Sequence, residues 1–222
     1  MADTLKNGEY ERALQTFYQI LRTNSKEPSQ LLASIYYNIG VSQTKLQSYN
    51  KALDAFHNSV RIYKKCNLMK HPNLAMTFVR LGFLHLESVP NYRKSLQAFH
   101  EALKIREMVY GRRHPLTAKI HNNLGVAYHH RKKYNRAKEH FRNALDTQRY
   151  ILAQLRIDPG NKNIPRANLE VANTLDNLGS LVIDDVHSAD SGDRKAALEA
   201  IQEAYQVSLN FDILITDFLI VL

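Results

Sequence analysis

The side chains of this 222-residue chain that could do chemistry recur at fixed distances from glycine. Asparagine stands two residues before Gly40, Gly125 and Gly179, as Asn38, Asn123 and Asn177; Asn122 and Asn173 lie close by, and Arg80 takes the same place before Gly82. A carboxamide offers two donors and an acceptor, the set that an extended peptide backbone requires, and each such bond contributes about 0.5–1.5 kcal/mol net. Lys45, Arg80 and Lys119 add cations, and a charge-assisted bond from one of them to a carboxylate contributes about 1.5–3 kcal/mol when partly desolvated. The chemistry on offer is recognition of amides and carboxylates.

Other constellations lead elsewhere. His121, His129 and His130 share one stretch, but no acidic or thiol partner stands at metal-ligand spacing. Asp184, Asp185, Asp190 and Asp193 form an acidic run whose order does not follow a calcium loop. There is no phosphate-cradling glycine loop, nucleophile elbow or two-histidine zinc helix, so the sequence reads as non-catalytic, without metal or cofactor. Thirty Lys and Arg against 21 Asp and Glu give a net charge of +9. The densest cationic cluster is Arg131, Lys132, Lys133, Arg136, Lys138 and Arg142, on a turn and an outer helix. Clustered cations attract phosphate; with no aromatic stacking platform beside them, an RNA-associated scaffold is the lesser reading.

The elements that must position these groups come as repeats. The glycines sit in Asn38-Ile39-Gly40, Arg80-Leu81-Gly82, Asn123-Leu124-Gly125 and Asn177-Leu178-Gly179, separated by 42, 43 and 54 residues. An interval in that range means repeated supersecondary units rather than one closed core. A second helix in each unit carries Ala13/Phe17/Ile20, Ala52/Phe56/Ser59, Ser95/Phe99/Ala102, Ala137/Phe141/Ala144 or Ala197/Ile201/Ala204, spacings that place each triplet on one helical stripe. Glycine in the first helix (A) and alanine in the second (B) are expected to let two backbones cross closely, with the phenylalanine filling the gap toward the next unit. Asn50, Asn91 and Asn135 are expected to satisfy first-turn amides of the B helices. His71-Pro72 and His114-Pro115 place proline in the first turn of an A helix, where its missing N–H costs nothing. The spacing predicts helices over 9–22, 29–46, 49–66, 72–88, 91–110, 115–131, 134–155, 166–185 and 193–210.

Ala102-Leu103-Lys104-Ile105-Arg106-Glu107, Tyr110-Gly111, His114-Pro115, Ala118, Asn122-Asn123-Leu124-Gly125, Tyr128, Tyr134, Ala137 and Phe141-Arg142-Asn143-Ala144-Leu145 together resemble the tetratricopeptide repeat. The long repeat with His-Pro connectors resembles the kinesin light chain type. The resemblance implies an all-α fold, a right-handed superhelical solenoid of antiparallel helix pairs. Its array would cover 8–210, as a partial repeat 8–22 and repeats 29–66, 72–110, 115–155 and 166–210, followed by an apolar tail, 211–222. It also implies a concave groove lined by the A helices, and carrying that geometry over gives Asn38, Lys45, Arg80, Lys119, Asn122, Asn123, Asn173 and Asn177 as peptide-binding residues. The expected partner is a protein, presenting an extended or acidic peptide to an adaptor. Departures are a first unit without helix A, a longer connection in the last unit, Ile201 in place of its aromatic, and no heptad coiled coil.

Cys66 is the single cysteine, which fits a reducing compartment. Met1 to Arg12 carries no apolar leader, and the apolar run Phe211 to Leu222 is shorter than the roughly 20 residues of a bilayer span and carries Asp212 and Asp217. A cytoplasmic protein without membrane contact is expected. An unpaired first B helix and an apolar tail read as open ends, those of a longer chain or faces that dock on a second copy. The second alternative makes the chain an architectural subunit and a homodimer.

Overall fold

The structure, a computed structural model, describes residues 2–23 and 27–184 together with 195, 199 and 202. The described residues form α1 (Ala2–Thr23), α2 (Gln30–Lys45), α3 (Tyr49–Lys65), α4 (Pro72–Phe83) continuing into a π-helical segment (Leu84–Ser88), α5 (Tyr92–Tyr110), α6 (Pro115–His130), α7 (Tyr134–Leu155) and α8 (Ile164–Asp184). They contain no strand. Two compact units divide the chain, Met1–Val109 and Tyr110–Leu222. Apart from three single positions, the expected helix 193–210 and the tail 211–222 lie outside the described residues, as do Ala197, Ile201 and Ala204.

Glycine and phenylalanine build the helix pairs. A Cβ added to Gly40, Gly82 or Gly125 would lie under 3.0 Å from the ring of Phe56, Phe99 or Phe141 respectively. Each ring therefore occupies the space of the glycine's missing side chain within its own pair. This corrects the expectation that the phenylalanine fills a gap toward the next unit: the glycine makes room for a ring, and the alanines flank it. Ala52, Phe56, Ser59, Ser95, Phe99, Ala102, Ala137, Phe141 and Ala144 are all fully buried, as their shared stripe requires.

The second pair shows how strictly this contact is kept. Glycine and ring are 16 residues apart in Gly40/Phe56 and Gly125/Phe141, but 17 apart in Gly82/Phe99. The additional residue is absorbed where α4 gives way to the π-helical turn, with Val89 N–H donating to Leu84 C=O at 2.8 Å and Asn91 N–H to His85 C=O at 2.7 Å. A π turn accommodates one inserted residue inside a helix, and Phe99 still lands on Gly82.

Helix starts follow side-chain capping only in part. Ser29 Oγ accepts from Leu32 N–H at 3.1 Å and Asn91 Oδ1 from Lys94 N–H at 3.1 Å, satisfying first-turn amides. Asn50 and Asn135 do not cap: they lie inside α3 and α7, whose preceding residues Ser48 and Lys133 make no capping bond. The His-Pro pairs do more than supply proline. His71 Nδ1 accepts from Asn73 N–H and His114 Nδ1 from Leu116 N–H, each at 3.1 Å, so the imidazole itself caps the A helix. Each ring also stacks on a tyrosine, His71 on Tyr63 at 5.3 Å and His114 on Tyr110 at 4.5 Å.

In the first unit α1 packs on α2 through Leu14, Phe17, Ile20 and Leu21 against Ile35 and Ile39. It extends to Ala2, seven residues ahead of the expected start. In the second unit Leu145 and Leu152 of α7 pack on Val171 and Leu175 of α8. No helix among the described residues is long and apolar enough to cross a membrane.

Candidate functional site

In the first unit the A helices α2 and α4 lie side by side. Asn38 and Lys45 on α2 and Arg80 on α4 are exposed. Arg80 Nε donates to Tyr37 Oη at 3.4 Å, a polar rung between these two helices. Two cations and a carboxamide thus stand on neighbouring helices within one unit. A carboxylate approaching them exchanges water for charge-assisted bonds.

In the second unit the polar residues of α6 are joined to those of α8. Lys119 Nζ lies 2.6 Å from Glu170 Oε1, Asn177 Nδ2 donates to Asn122 Oδ1 at 3.2 Å, and His129 Nε2 lies 2.9 Å from Asp184 Oδ2. Three rungs therefore tie the A helices of this unit along their length. Lys119, Asn122 and Asn177, expected on a peptide-binding face, are engaged with the neighbouring helix. Asn123 is half-buried and Asn173 exposed. The Lys119–Glu170 pair is partly solvated, at 40% and 30% exposure, and a pair in that setting contributes only about 0–1 kcal/mol, so an incoming carboxylate can compete with Glu170.

Sequence reasoning missed Glu170. Glu170, Asn177 and Asp184 are spaced by seven, which puts them on one face of α8; that regularity was the available signal.

The histidines fall apart as a group. His121 Nδ1 faces His140 Nδ1 at 3.0 Å, while His129 turns to Asp184. Among the described residues no three His, Cys, Asp or Glu side chains are placed to hold a metal ion. Arg131, Lys132, Lys133, Arg136 and Arg142 are exposed, with the Arg136 guanidinium 5.7 Å from the centre of the Tyr128 ring. Of the acidic run, only Asp184 is described.

Residues 73–149 match the tetratricopeptide repeat family. No curated protein matches the chain. Among solved structures, the chain is similar to BtubC (BKLC) from P. vanneervenii, at 17% identity and a TM-score of 0.76 over 94% of this chain and 76% of that one. It is similar to nearly identical kinesin light chain TPR-like repeats from Podosopora anserina, at 13% identity and a TM-score of 0.61 over 92% and 90% of the two chains. MamA from Desulfovibrio magneticus RS-1 shares 17% identity and a TM-score of 0.59 over 93% and 89%. Residues 73–149 therefore carry tetratricopeptide repeats, and the chain shares the helical-repeat fold of these solved structures along more than nine-tenths of its length.

Proposed function

We propose that the chain is a non-catalytic adaptor whose A helices bind an extended peptide rich in carboxylates. The tetratricopeptide fold is in general a protein-interaction scaffold. The observation carrying the finer reading is the exposed set Asn38, Lys45 and Arg80 on adjacent helices of the first unit. Asn123 and Asn173 offer further carboxamides in the second unit. Lys119 joins when a ligand carboxylate displaces Glu170, whereas Asn122 and Asn177 hold α6 to α8 and keep the neighbouring donors in place. Because these helices are preorganised, the peptide bears most of the ordering cost, and affinity is about micromolar. A cytoplasmic location belongs to the same reading, supported by the lone cysteine, Cys66.

The test is fluorescence anisotropy with a labelled acidic peptide on the whole chain. Arg80→Ala combined with Asn123→Ala should abolish capture while circular dichroism stays unchanged. Undiminished binding by a folded double variant would overturn the reading and favour assembly through the helix ends, read by sedimentation as a concentration-dependent dimer.

A further inference from the structure

In the first unit the end of α1, the start of α2 and the end of α3 enclose a cavity of ≈ 320 Å³. Leu21, Leu32, Ile35 and Ile62 give it aliphatic walls, of which Ile35 and Ile62 belong to the buried core. Leu31 lines it too, yet is 66% exposed, an aliphatic side chain left in water beside open space. Arg61 and Lys65 complete the wall on the α3 side. Being four residues apart they project from one face of that helix, and both are exposed. Asn58 Oδ1 accepts from Arg61 Nη2 at 2.9 Å, which steadies the guanidinium. No Asp or Glu lines the cavity among the described residues, so the wall itself does not neutralise this pair.

We infer that this cavity binds an aliphatic monocarboxylate with a chain of about ten carbons. The carboxylate meets Arg61 and Lys65 through charge-assisted bonds, while the chain lies on Leu21, Leu32, Ile35 and Ile62 and covers Leu31, taking that apolar surface out of water. Branched walls contributed by three helices suit a flexible chain better than a flat ring. Both cations are open to solvent, so the head group reaches them without entering the core. The volume equals that of about ten waters, at the small end of the range of about 300–1,000 Å³ that ligand sites occupy, in keeping with a chain of this length. None of these residues belongs to the peptide-binding set, so this inference stands apart from the adaptor reading. A ligand of this size binds with a Kd on the order of 1 mM.

The test is a titration of the whole chain, carrying ¹³C-methyl isoleucine and leucine, with decanoate. The methyl signals of Leu31, Ile35 and Ile62 should shift along one saturable curve, while those of Ile157 and Leu169, exposed aliphatic residues of the second unit, stay in place. Decylammonium, with the same chain and the opposite charge, should bind at least about tenfold more weakly. Hexanoate, four methylenes shorter, should bind about a hundredfold more weakly. Arg61→Gln combined with Lys65→Gln should weaken decanoate about tenfold and remove the preference over decylammonium, with an unchanged thermal melt. Absence of saturation, equal shifts at Ile157 and Leu169, equal binding of decanoate and decylammonium by the unaltered chain, or a preference that survives in the double variant would overturn the assignment. The comparison of probes needs no variant, so its outcome stands even if the substitutions disturb folding.

Discussion

A single added methyl group separates two kinds of glycine in this chain. At Gly125 a Cβ collides with the Phe141 ring, whereas at Gly8, within α1, it meets nothing within 4 Å. Gly125→Ala should therefore lower stability by about 1–3 kcal/mol through overpacking, and Gly8→Ala should raise it by about 1 kcal/mol through helix propensity; urea denaturation of the two variants reads both signs. His85 gives a second residue-scale prediction. It is 5% exposed, with Nδ1 buried and unpaired. Burial foremost, then Lys94 and His57, hold its pKa below the ordinary imidazole value of 6.5, against the opposing Val89 carbonyl. The unfolded chain thus binds the proton that the folded chain resists, so stability is full above pH 6.5 and falls as pH drops below it. The loss on acidification should shrink in His85→Leu; an equal loss in both proteins would remove His85 from the account. At this scale the sequence revealed residue types and not partners. Asn177 was legible as a recurring carboxamide, but its bond to Asn122 depends on which helix lies beside α8, and no local pattern states that. His114 was legible as a neighbour of proline, while its capping imidazole required the ring's rotamer.

Whole elements were more legible, because their signal is the period of burial rather than the direction of one side chain. The stripe Ala137/Phe141/Ala144 needs only helical geometry to be read, and the residues are buried as that stripe demands. The π-helical turn was not read, since one regular helix was expected over 72–88; the signal for it was arithmetic, the 17-residue glycine-to-ring spacing of Gly82 and Phe99. Deleting Glu87, an exposed residue of that turn, restores a spacing of 16 and should be tolerated, with a cooperative thermal melt kept. Deleting one residue from α6 beyond Gly125 shifts Phe141 off its glycine by about 100°, since successive helical residues turn by that angle, and should abolish the cooperative melt. Equal damage from the two deletions would show that the π turn does not serve to keep the register. The rungs between α6 and α8 belong to the same scale. Glu170→Gln removes the competing carboxylate beside Lys119, so an acidic peptide should bind several-fold more tightly, about the effect of a partly solvated ion pair, and anisotropy checks this against the unaltered chain.

Across the whole molecule, the charge of +9 acts on a ligand before any contact forms. Its densest exposed part, around Lys132 and Lys133, includes none of the residues proposed to hold the peptide. Long-range attraction speeds encounter and is screened over about 8 Å at physiological salt, whereas a contacting cation governs how long a complex lasts. The two roles can be told apart by rates. Reversing Lys132 and Lys133 to glutamate should slow association with an acidic peptide, strongly at low salt and little at high salt, and leave dissociation unchanged. Arg80→Ala should speed dissociation at every salt concentration. Stopped-flow anisotropy resolves both. Faster dissociation from the reversed cluster would mean that Lys132 and Lys133 touch the ligand themselves. A polyanion such as RNA would then become the better candidate, because its affinity falls steeply and linearly with the logarithm of salt in proportion to the phosphates neutralised, a dependence that a short peptide with few carboxylates cannot reproduce.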